Sequence, residues 1–579
     1  MKKDDRIVLE IGDINNLGCG VGRAEDGRVV FVKGAVTGDV IEAKIIKVNK
    51  KFLVARTEKL VTASPYRVDM DICSAPLSCG GCVYRHIKYE HELEIKRDYV
   101  KNAFVKVGLS DVEVLPVMNT GKIAGYRNKG QFPLTEVKGK VTAGFYASKS
   151  HNIVPSNECT IQNPAFSPIV TEVCRFATEK KISVYNEETG KGILRHIYLR
   201  IAEKTGQIML CVVVNADSLP YSEEFVTCIT ERFPNISGVI LNINKKNTNV
   251  VLGDRFITLF GKEYIVDELC GLRFKISPQS FYQVNRDGAE MLYTEAAKKA
   301  ALCGNEVLMD LYCGTGTIGL SMAKNTKKLV GIEIVESAVE CAKENAERNG
   351  IENAEFYCAD ASDKETILKC AGGVRPDVVV IDPPRKGTTR ELVECLDSLN
   401  VPKVVYVSCD PDTLARDCVC FREFGYEIGE VQPVDMFART GHVESIVCLS
   451  RKTTHEMKLH ASPFEKIKSG VKNIELRLFD EKRQKIKAGD DIIFTNTASG
   501  EKMRASVKKL HLFGSFEELY KTLPLLQCGY TAEDIDTAHP SDMEQYYSAE
   551  EQSKYGIVGI ELFPPKRITD ESVVCLTKK

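Results

Sequence analysis

Short runs of alternating apolar and polar positions fill residues 1–62. Segments such as RIVLEIGD, RVVFVKG and VIEAKIIKV show this alternation, and glycines separate several of them. A period of two residues is typical of strands that are buried on one face, and the glycines indicate turns. The pattern predicts an OB-like β-barrel of about five short strands over residues 1–62.

Strand-like segments continue over residues 63–270, where KGQFPLTEV, KVTAGFYA and GQIMLCVVVN accompany one helical pattern near residues 165–181. Consecutive strands of this kind favour a mostly antiparallel sheet, so we expect an α+β domain here. The segment GYRNKGQF carries Arg127, Lys129 and Gln131. These three side chains either reach a substrate or form the charged outer face of a β-hairpin.

The hydrophobic pattern changes over residues 271–452. Apolar segments such as EVLMDL and PDVVVID now alternate with amphipathic helical segments such as ESAVECAKENAERNG. An alternation of strands and helices predicts a parallel sheet with helices on its faces. We therefore expect a Rossmann-like α/β core in this region.

The remaining region, residues 456–579, differs from the others in its charge pattern. Residues 458–510 are rich in Lys and Arg, and the segment that follows is acidic. Such segregation of charge indicates a separate, dipolar domain. A chain of 579 residues is long enough for several domains, which agrees with this division.

The composition is that of an ordinary soluble globular protein. Hydrophobic residues make up 43% and charged residues 27% of the chain, and no long apolar span occurs. We expect a cytoplasmic monomer without a membrane partner. The formal net charge of −2 does not by itself indicate a nucleic-acid partner, so any such surface must come from local clusters of charge.

Three cysteines lie close together in a loop rich in proline and glycine. The segment CSAPLSCGGC places Cys73, Cys79 and Cys82 where a hydrophobic core does not need them. Cys159, in the polar segment SNECTIQN, is the leading candidate for a fourth ligand. Four thiolates suit either zinc or an iron–sulfur cluster, and the spacing alone does not choose between them.

The segment DLYCGTGTIG is a strand, a glycine-rich turn and the beginning of a helix. Glycines such as Gly314 and Gly316 let the backbone approach a ligand closely, which suits either a dinucleotide or S-adenosylmethionine. Two features favour the methyl donor. One is the tight spacing that begins at Asp310. The other is Glu333 at the end of the next strand, where a carboxylate can accept hydrogen bonds from both ribose hydroxyls.

A second strand end carries the segment VVVIDPPRKG, in which prolines stop the strand directly after Asp382. Ligands of parallel sheets bind at this edge. Amino methyltransferases that modify adenine or cytosine have an aromatic residue after the two prolines, whereas this chain has Arg385. A cytosine-5 RNA methyltransferase would have a Pro-Cys pair there. Both classes are therefore disfavoured.

The segment YVSCDPDTLARD places Cys409 at the next strand end. C5 of a pyrimidine is too weak a nucleophile to accept a methyl group unaided, but addition of a thiolate at C6 activates it. A base must then remove the C5 proton, and Glu444 stands at the beginning of the last apolar strand. We therefore predict that Cys409 is the nucleophile and Glu444 the base.

These motifs together resemble the RNA uracil-5 methyltransferase family, in particular its cluster-bearing ribosomal RNA branch with an N-terminal TRAM domain. The segments SCDPDTLARD, MFARTGHVES and IDPPRKG, together with the cysteine loop, carry the resemblance over residues 1–450. Family members commonly have Asn at position 410 and Pro at position 438, where this chain has Asp410 and Ala438.

The resemblance implies a full set of ligands and roles. The reaction would be methylation of C5 of a uridine in 23S ribosomal RNA, because the transfer-RNA branch usually lacks the cysteine loop. A four-iron four-sulfur (4Fe-4S) cluster would bind to Cys73, Cys79, Cys82 and Cys159. S-adenosylmethionine would contact Gln283, Tyr312, Gly314, Gly316, Glu333 and Asp382. The alternatives are a transfer-RNA uracil-5 methyltransferase and a non-catalytic iron–sulfur regulator that binds RNA.

Residues 456–579 resemble an ASCH domain, a β-barrel-like fold associated with RNA, through a G-x-K-x-x-E-x-R run and the segment GDDIIF. Some ASCH proteins hydrolyse an acylated cytidine with a Lys and a Thr. Lys472 matches that Lys, but Glu475 stands at the Thr position, so the resemblance implies binding without hydrolysis. The expected RNA-binding face consists of Lys466, Lys468, Lys472, Arg477, Lys482 and Arg483.

Overall fold

The structure is a computed structural model that describes residues 1–68, 73–76, 78–148, 150–156, 158–451, 454–486 and 488–567. The chain forms two compact units, Met1–Ser450 and Arg451–Lys579. Within the described ranges, no helix has both the length and the apolar character that a membrane crossing requires.

The first strands form a curled sheet around a small apolar core that includes Val30, Val32 and Ile41. The strands are β1 (Arg6–Glu10), β2 (Asp13–Ile14), β3 (Cys19–Arg23), β4 (Val29–Lys33), β5 (Val40–Val48) and β6 (Phe52–Thr62). Their order in the sheet is β1-β5-β6-β4-β3-β2, in which only the β4–β6 pair is parallel. The predicted OB-like barrel is confirmed.

The next region contains a seven-stranded sheet in the order β10-β9-β8-β11-β12-β13-β14. Its strands are β8 (Lys129–Val137), β9 (Lys140–Tyr146), β10 (Ile153–Pro155), β11 (Leu194–Ile201), β12 (Ile208–Val214), β13 (Ile236–Ile243) and β14 (Arg255–Gly261). The accompanying elements are α1 (Tyr89–Lys106), β7 (Met118–Asn119), α2 (Phe166–Glu179) and α3 (Ser222–Arg232). Only the β12–β13 pair in this sheet is parallel, as expected for an α+β region.

Helix α2 is the helix predicted from the sequence, whereas α1 and α3 were not predicted. Helix α1 is difficult to recognise because two of its inward-facing residues, Glu92 and Lys96, are charged. A buried charge interrupts the apolar stripe on which helix recognition depends. Helix α1 packs against the α/β core that follows in the chain rather than the seven-stranded sheet, since it contacts β23 (Gln432–Asp435) and α9 (Pro411–Glu423).

The α/β core is a nine-stranded sheet in the order β19-β18-β17-β20-β21-β24-β23-β7, with β22 paired to β24. Its strands, besides β7, are β17 (Val307–Leu311), β18 (Lys328–Glu333), β19 (Ala354–Cys358), β20 (Val378–Ile381), β21 (Lys403–Ser408), β22 (Tyr426–Ile428), β23 (Gln432–Asp435) and β24 (Glu444–Arg451). The hairpin β15 (Ile265–Leu269) and β16 (Leu272–Ile276) precedes it. The strands from β19 to β21 are parallel, and β24 is antiparallel to β21, so the expected Rossmann-like core is confirmed.

Helices cover this sheet and connect its strands: α4 (Arg286–Ala300), α5 (Thr317–Met322), α6 (Glu336–Arg348), α7 (Lys364–Cys370), α8 (Arg390–Ser398) and α9 (Pro411–Glu423). Apolar side chains on both faces of the sheet are fully buried, including Leu308, Val380 and Val404. This packing fixes the strand ends, where the candidate catalytic residues lie.

The second unit is built on a curled sheet in the order β25-β27-β28-β29-β26, with β30 paired to β28. Its elements are β25 (Thr454–Leu459), α10 (Ala461–Lys468), β26 (Ile474–Leu478), β27 (Asp491–Asn496), β28 (Lys502–Phe513), α11 (Phe516–Thr522), α12 (Ala549–Tyr555), β29 (Ile557–Leu562) and β30 (Lys566–Arg567). The long strand β28 pairs with β27 at one end and with β29 at the other, which gives the barrel-like shape expected for this region.

Candidate active site

The structure places Cys409 in the turn between β21 and α9. The side chain of Asp410 caps α9 by accepting a hydrogen bond of 3.1 Å from the backbone N–H of Thr413. Pro411, the first residue of the helix, needs no hydrogen-bond acceptor for its nitrogen. The strand therefore ends just before Cys409 and the helix begins just after it. This leaves the Cys409 thiol half-buried at the sheet edge.

The strand register brings Cys409, Glu444 and Asp382 to the same edge of the sheet. Strand β21 pairs antiparallel with β24, and Ser408 is opposite Ser445, so Cys409 and Glu444 are the next facing positions. On its other side β21 pairs parallel with β20 up to Ile381, and Asp382 follows directly. The three predicted residues are thus neighbours although they come from separate segments.

The three side chains have unusual proton affinities. Burial raises the pKa of Glu444 to about 8, with a further contribution from Asp382, and burial raises the pKa of Asp382 to about 7. Burial, followed by the carboxylates of Glu444 and Asp382, raises the pKa of Cys409 to about 11. The thiol is therefore mostly protonated at neutral pH in the free protein, and Glu444 is a stronger base than an ordinary carboxylate.

Arg385 opposes these shifts. Its exposed guanidinium lowers the pKa values of Cys409 and Glu444, although burial and the neighbouring acids outweigh it. The loop that carries Arg385 is anchored to α9 by Asp417, which accepts hydrogen bonds from the Tyr406 hydroxyl at 2.6 Å and the Thr388 N–H at 2.8 Å. Sequence reasoning missed Asp417, because an acidic residue on an amphipathic helix resembles a solvent-facing one.

The glycine-rich turn after β17 has the backbone conformations that its sequence predicts. Gly314 and Gly316 have φ values of 54° and 81°, in the left-handed region that favours glycine. A Cβ atom on Gly316 would lie 3.1–3.2 Å from the side chains of Leu320, Ala342 and Phe356. The turn therefore needs glycine for packing as well as for its backbone angles.

Glu333 is held in a fixed orientation beside this turn. Its carboxylate accepts from the N–H of Gly314 at 3.1 Å and from the N–H of Val335 at 3.0 Å. The neighbouring Asp310 is buried and accepts from the Gly319 N–H at 2.8 Å, and burial raises its pKa to about 7. Two carboxylates thus frame the turn, one half-buried and one protected from solvent.

The segment that contains Gln283 is tied to the same edge. Thr315, in the glycine-rich turn, donates to the carbonyl of Phe281 at 3.4 Å, and Asn128 donates to the carbonyl of Gln283 at 2.9 Å. Gln283 itself is buried, and Tyr312 is half-buried with a φ of 64°. The residues predicted to bind the methyl donor therefore lie together near the carboxyl ends of the strands.

The predicted cysteine ligands also come together. Cys73, Cys79, Cys82 and Cys159 line one cavity of ≈ 250 Å³, with Arg85, Arg127, Lys129 and Gln131 on its other walls. Burial and the three neighbouring thiols raise the pKa of Cys82 to about 12. Across the described part of the chain, no three carboxyl, imidazole or thiol groups converge closely enough to hold a single metal ion.

This cavity also answers the question that the sequence left open for Arg127, Lys129 and Gln131. They lie on the wall of the cysteine cavity rather than on a free outer face of a hairpin. Burial, Arg200 and Arg127 together lower the pKa of Lys129 to about 8. The concentration of cationic groups here is an electrostatic feature that the sequence did not predict.

The second unit has a cavity of its own, with a volume of ≈ 1440 Å³. At its wall the buried carboxylate of Glu475 pairs with Lys472 at 2.8 Å and with Arg477 at 2.9 Å. Of the six basic residues predicted to share a face, five line this cavity: Lys466, Lys472, Arg477, Lys482 and Arg483. The sixth, Lys468, pairs with Glu501 at 2.9 Å and is not among the lining residues.

Comparison with known proteins gives three regional matches. Residues 249–452 match the model of the tRNA (Uracil-5-)-methyltransferase family, residues 6–57 match the TRAM domain and residues 457–566 match the ASCH domain. A protein of Clostridium acetobutylicum named as an uncharacterised RNA methyltransferase is 44% identical over 454 residues, which are 78% of this chain and 98% of that protein. The chain belongs to the RNA uracil-5 methyltransferase family. The predicted enzyme class is therefore confirmed.

Further relatives of this uracil-5 methyltransferase agree. An uncharacterised RNA methyltransferase of Bacillus cereus is 41% identical over 78% of this chain and 98% of its own length. The crystal structure of the Pyrococcus abyssi tRNA (uracil-54, C5)-methyltransferase in complex with S-adenosyl-L-homocysteine is 30% identical, with a TM-score of 0.62, and covers 77% of this chain and 100% of its own. The match supports the fold described above.

Proposed function

We propose that this enzyme transfers a methyl group from S-adenosylmethionine to C5 of a uridine in RNA through a covalent adduct between Cys409 and C6. The observation that carries the proposal is the shared sheet edge of Cys409, Glu444 and Asp382, set by the register of β21 with β20 and β24. A nucleophile and a base of raised proton affinity are adjacent there, as the reaction requires.

The chemistry assigns one role to each side chain. The uridine leaves its stack and enters the cleft. The Cys409 thiol releases its proton to solvent water and its sulfur bonds to C6. The resulting enolate attacks the sulfonium methyl with C5, which releases S-adenosylhomocysteine. Glu444 then takes the C5 proton as the bond between sulfur and C6 breaks, which restores the thiolate and the aromatic base.

The proposed donor site is the edge formed by the glycine-rich turn. The backbone of Gly314 and Gly316 and the oriented carboxylate of Glu333 suit an adenosyl group, with Gln283, Tyr312 and Asp382 nearby. Asp382 is half-buried with a raised pKa, so it can bind either as an acid or as a carboxylate near neutral pH. The S-adenosyl-L-homocysteine bound in the Pyrococcus abyssi structure supports S-adenosylmethionine as the methyl donor.

We infer that the substrate is 23S ribosomal RNA, because the cysteine loop is typical of that branch of the family. The alternative is transfer RNA, which is supported by the name of the Pyrococcus abyssi enzyme and by the description of the matching family model. For both substrates we propose a monomeric cytoplasmic enzyme. Its proposed domains are residues 1–62, 63–270, 271–452 and 456–579.

We further propose that the cysteine cavity binds a 4Fe-4S cluster. The residues fit such a group, because four thiols surround one space and three cationic side chains, Arg85, Arg127 and Lys129, line the same walls. The spacing of these cysteines resembles that of the cluster-bearing branch of the family, which favours a cluster over zinc. When bound, the cluster would neutralise the buried thiolates and tie the loop at Cys79 to the segment at Cys159.

Replacing Cys79 with Ser tests the cluster. The variant should lose the broad brown absorbance of the anaerobically purified protein and unfold at a lower temperature, because one thiolate ligand is missing. Cys174→Ser, in a buried helix position away from the cavity, should keep the absorbance. A colourless wild-type protein with one zinc per chain would contradict the proposal.

The reaction itself is tested by incubating the enzyme and radiolabelled S-adenosylmethionine with purified ribosomal RNA and, separately, with purified transfer RNA. Label should enter ribosomal RNA as 5-methyluridine at one position, identified by mass mapping of RNA from cells with and without the protein. Label in transfer RNA alone would select the alternative substrate. Label in cytidine or adenine would contradict the assignment to uridine C5.

A further inference from the structure

Three charged side chains are buried together behind the catalytic edge. Glu92 and Lys96 lie on α1, and Asp435 is the last residue of β23. Their exposed fractions are 0%, 1% and 3%, and Lys96 Nζ lies 2.8 Å from a carboxylate oxygen of each acid. Buried ion pairs contribute little net stability relative to apolar residues, so this cluster needs another explanation.

The cluster hydrogen-bonds directly to the loop that leads to Glu444. Residues 436–443 connect β23 to β24, and Glu444 begins β24. Lys96 Nζ donates to the carbonyl of Phe437 at 3.2 Å, and Asp435 accepts from the N–H of Phe437 at 3.0 Å. A side chain of helix α1 thus holds the backbone of this loop, so the contact does not depend on the side chains that the loop carries.

Glu92 fixes a second position in the same loop. Its carboxylate accepts from the N–H of Arg439 at 2.7 Å, and Arg439 has a φ of 71°, an unfavourable conformation for a residue with a Cβ. Such a conformation persists only where the surroundings over-determine it. Here they do, because the Arg439 carbonyl also accepts from the N–H groups of Val83 and Tyr84 at 3.0 and 3.1 Å.

We infer that Lys96, held between Glu92 and Asp435, is a positioning residue for proton removal by Glu444. The inference rests on the role proposed above for Glu444. The register supports it, because Val434, next to Asp435, pairs with Glu444 across β23 and β24. A catalytic base works only within hydrogen-bond reach of the proton that it removes, so a small displacement of this loop slows that step selectively.

The selective step can be measured in single turnovers with RNA and labelled S-adenosylmethionine, quenched with denaturant at successive times. Formation of the adduct requires Cys409, whereas its resolution requires the base. In Lys96→Met, the methylated adduct should accumulate and resolve at least tenfold more slowly than in the wild type. If Lys96 acted only on stability, the variant would show lower amounts of both adduct formation and adduct resolution, in proportion to the fraction of folded protein.

A second variant separates positioning from folding. Lys96→Met combined with Asp435→Asn removes one positive and one negative charge, and it leaves Glu92 beside Arg439, whose guanidinium lies 3.4 Å away. This double variant should keep a melting temperature close to that of the wild type and still resolve the adduct slowly. The matched control is Glu172→Gln, which alters a buried carboxylate paired with Arg175 and Arg232 between α2 and α3.

The reference for the experiment is Glu444→Gln, which should trap the adduct completely. If this variant forms no adduct, the role of Glu444 is wrong and the inference fails with it. If Glu444→Gln traps the adduct while the double variant resolves it at the wild-type rate, the inference alone is overturned. The same holds if Glu172→Gln slows resolution as much as the double variant.

Discussion

Two buried carboxylates in this enzyme have opposite electrostatic surroundings. Glu444, at the catalytic edge, has a second acid, Asp382, among its charged neighbours, and its pKa is raised to about 8. Glu475, in the second unit, is paired with Lys472 and Arg477 at 2.8 and 2.9 Å. Both side chains are almost fully protected from solvent.

The difference separates the proposed reaction site from the proposed binding site. A carboxylate that is buried without full compensation of its charge takes up a proton readily, which is the property that a general base needs. A carboxylate paired with two cations holds both of them in place, and the cations can then contact an anionic ligand. A buried acid alone therefore does not indicate catalysis, because its role depends on the charges of the groups that surround it.

The largest effect on the proposed reaction site is expected from removing the nucleophile that faces Glu444. Cys409→Ala should lower methylation of RNA by a factor of about 10⁴ or more, because it removes the proposed nucleophile that adds to C6. Binding of S-adenosylmethionine, measured by calorimetry, should change less than about twofold. Cys420→Ala, on the following helix, is the control for loss of a thiol. Turnover by Cys409→Ala at the wild-type rate would contradict the assignment.

The two carboxylates should also respond in opposite directions when each is replaced by Gln. Glu475→Gln leaves Lys472 and Arg477 without their buried partner, so it should destabilise the protein by about 3–5 kcal/mol. Glu444→Gln removes a carboxylate whose buried site favours the protonated form. It should stabilise the protein at pH 8 by about 4 kcal/mol.

The pH dependence follows from the sign of the shift. The folded pKa of Glu444, about 8, lies above its usual value of 4.5. Its contribution to stability is therefore fully present below pH 4.5 and is lost as the pH rises through 8. The wild type should lose stability over this range, and Glu444→Gln should lose less, as measured by urea unfolding at several pH values. Equal slopes in the two proteins would show that Glu444 does not titrate as described.

A smaller effect is expected from the second unit as a whole. Deletion of residues 456–579 should weaken binding to full-length RNA roughly tenfold at 0.1 M salt and flatten its salt dependence, because the cavity of Lys466, Lys482 and Arg483 is lost. Methyl transfer to a short uridine-containing loop should stay nearly unchanged. Unaltered affinity and salt slope in the truncated enzyme would show that this unit does not anchor RNA.

Local patterns predicted much of this molecule. The alternation of strands and helices gave the Rossmann-like core, because the period of hydrophobic residues follows directly from the geometry of each element. Cys409, Glu444 and Asp382 were predicted as site residues because each lies at one terminus of an apolar strand, and the structure brings these termini to one sheet edge. Their adjacency depends on strand order, which the sequence does not state.

The contacts between distant segments could not be predicted. Lys96, Glu92 and Asp417 were not singled out from the sequence, yet all three are buried and hydrogen-bond to loops beside the proposed active site. A sequence shows the charge of a side chain but not the partner that makes its burial tolerable. For the same reason Lys468 was expected on the face of the second cavity, whereas it pairs with Glu501.

The central claim is the covalent bond between Cys409 and a uridine, and trapping that bond tests it most directly. Glu444→Gln would be incubated with RNA and S-adenosylmethionine bearing a deuterated methyl group, denatured, and digested with nuclease and protease. Mass spectrometry should then find the peptide containing Cys409 heavier by one uridine nucleotide that carries the deuterated methyl. An unmodified Cys409 peptide, or the nucleotide attached to another cysteine, would contradict the account.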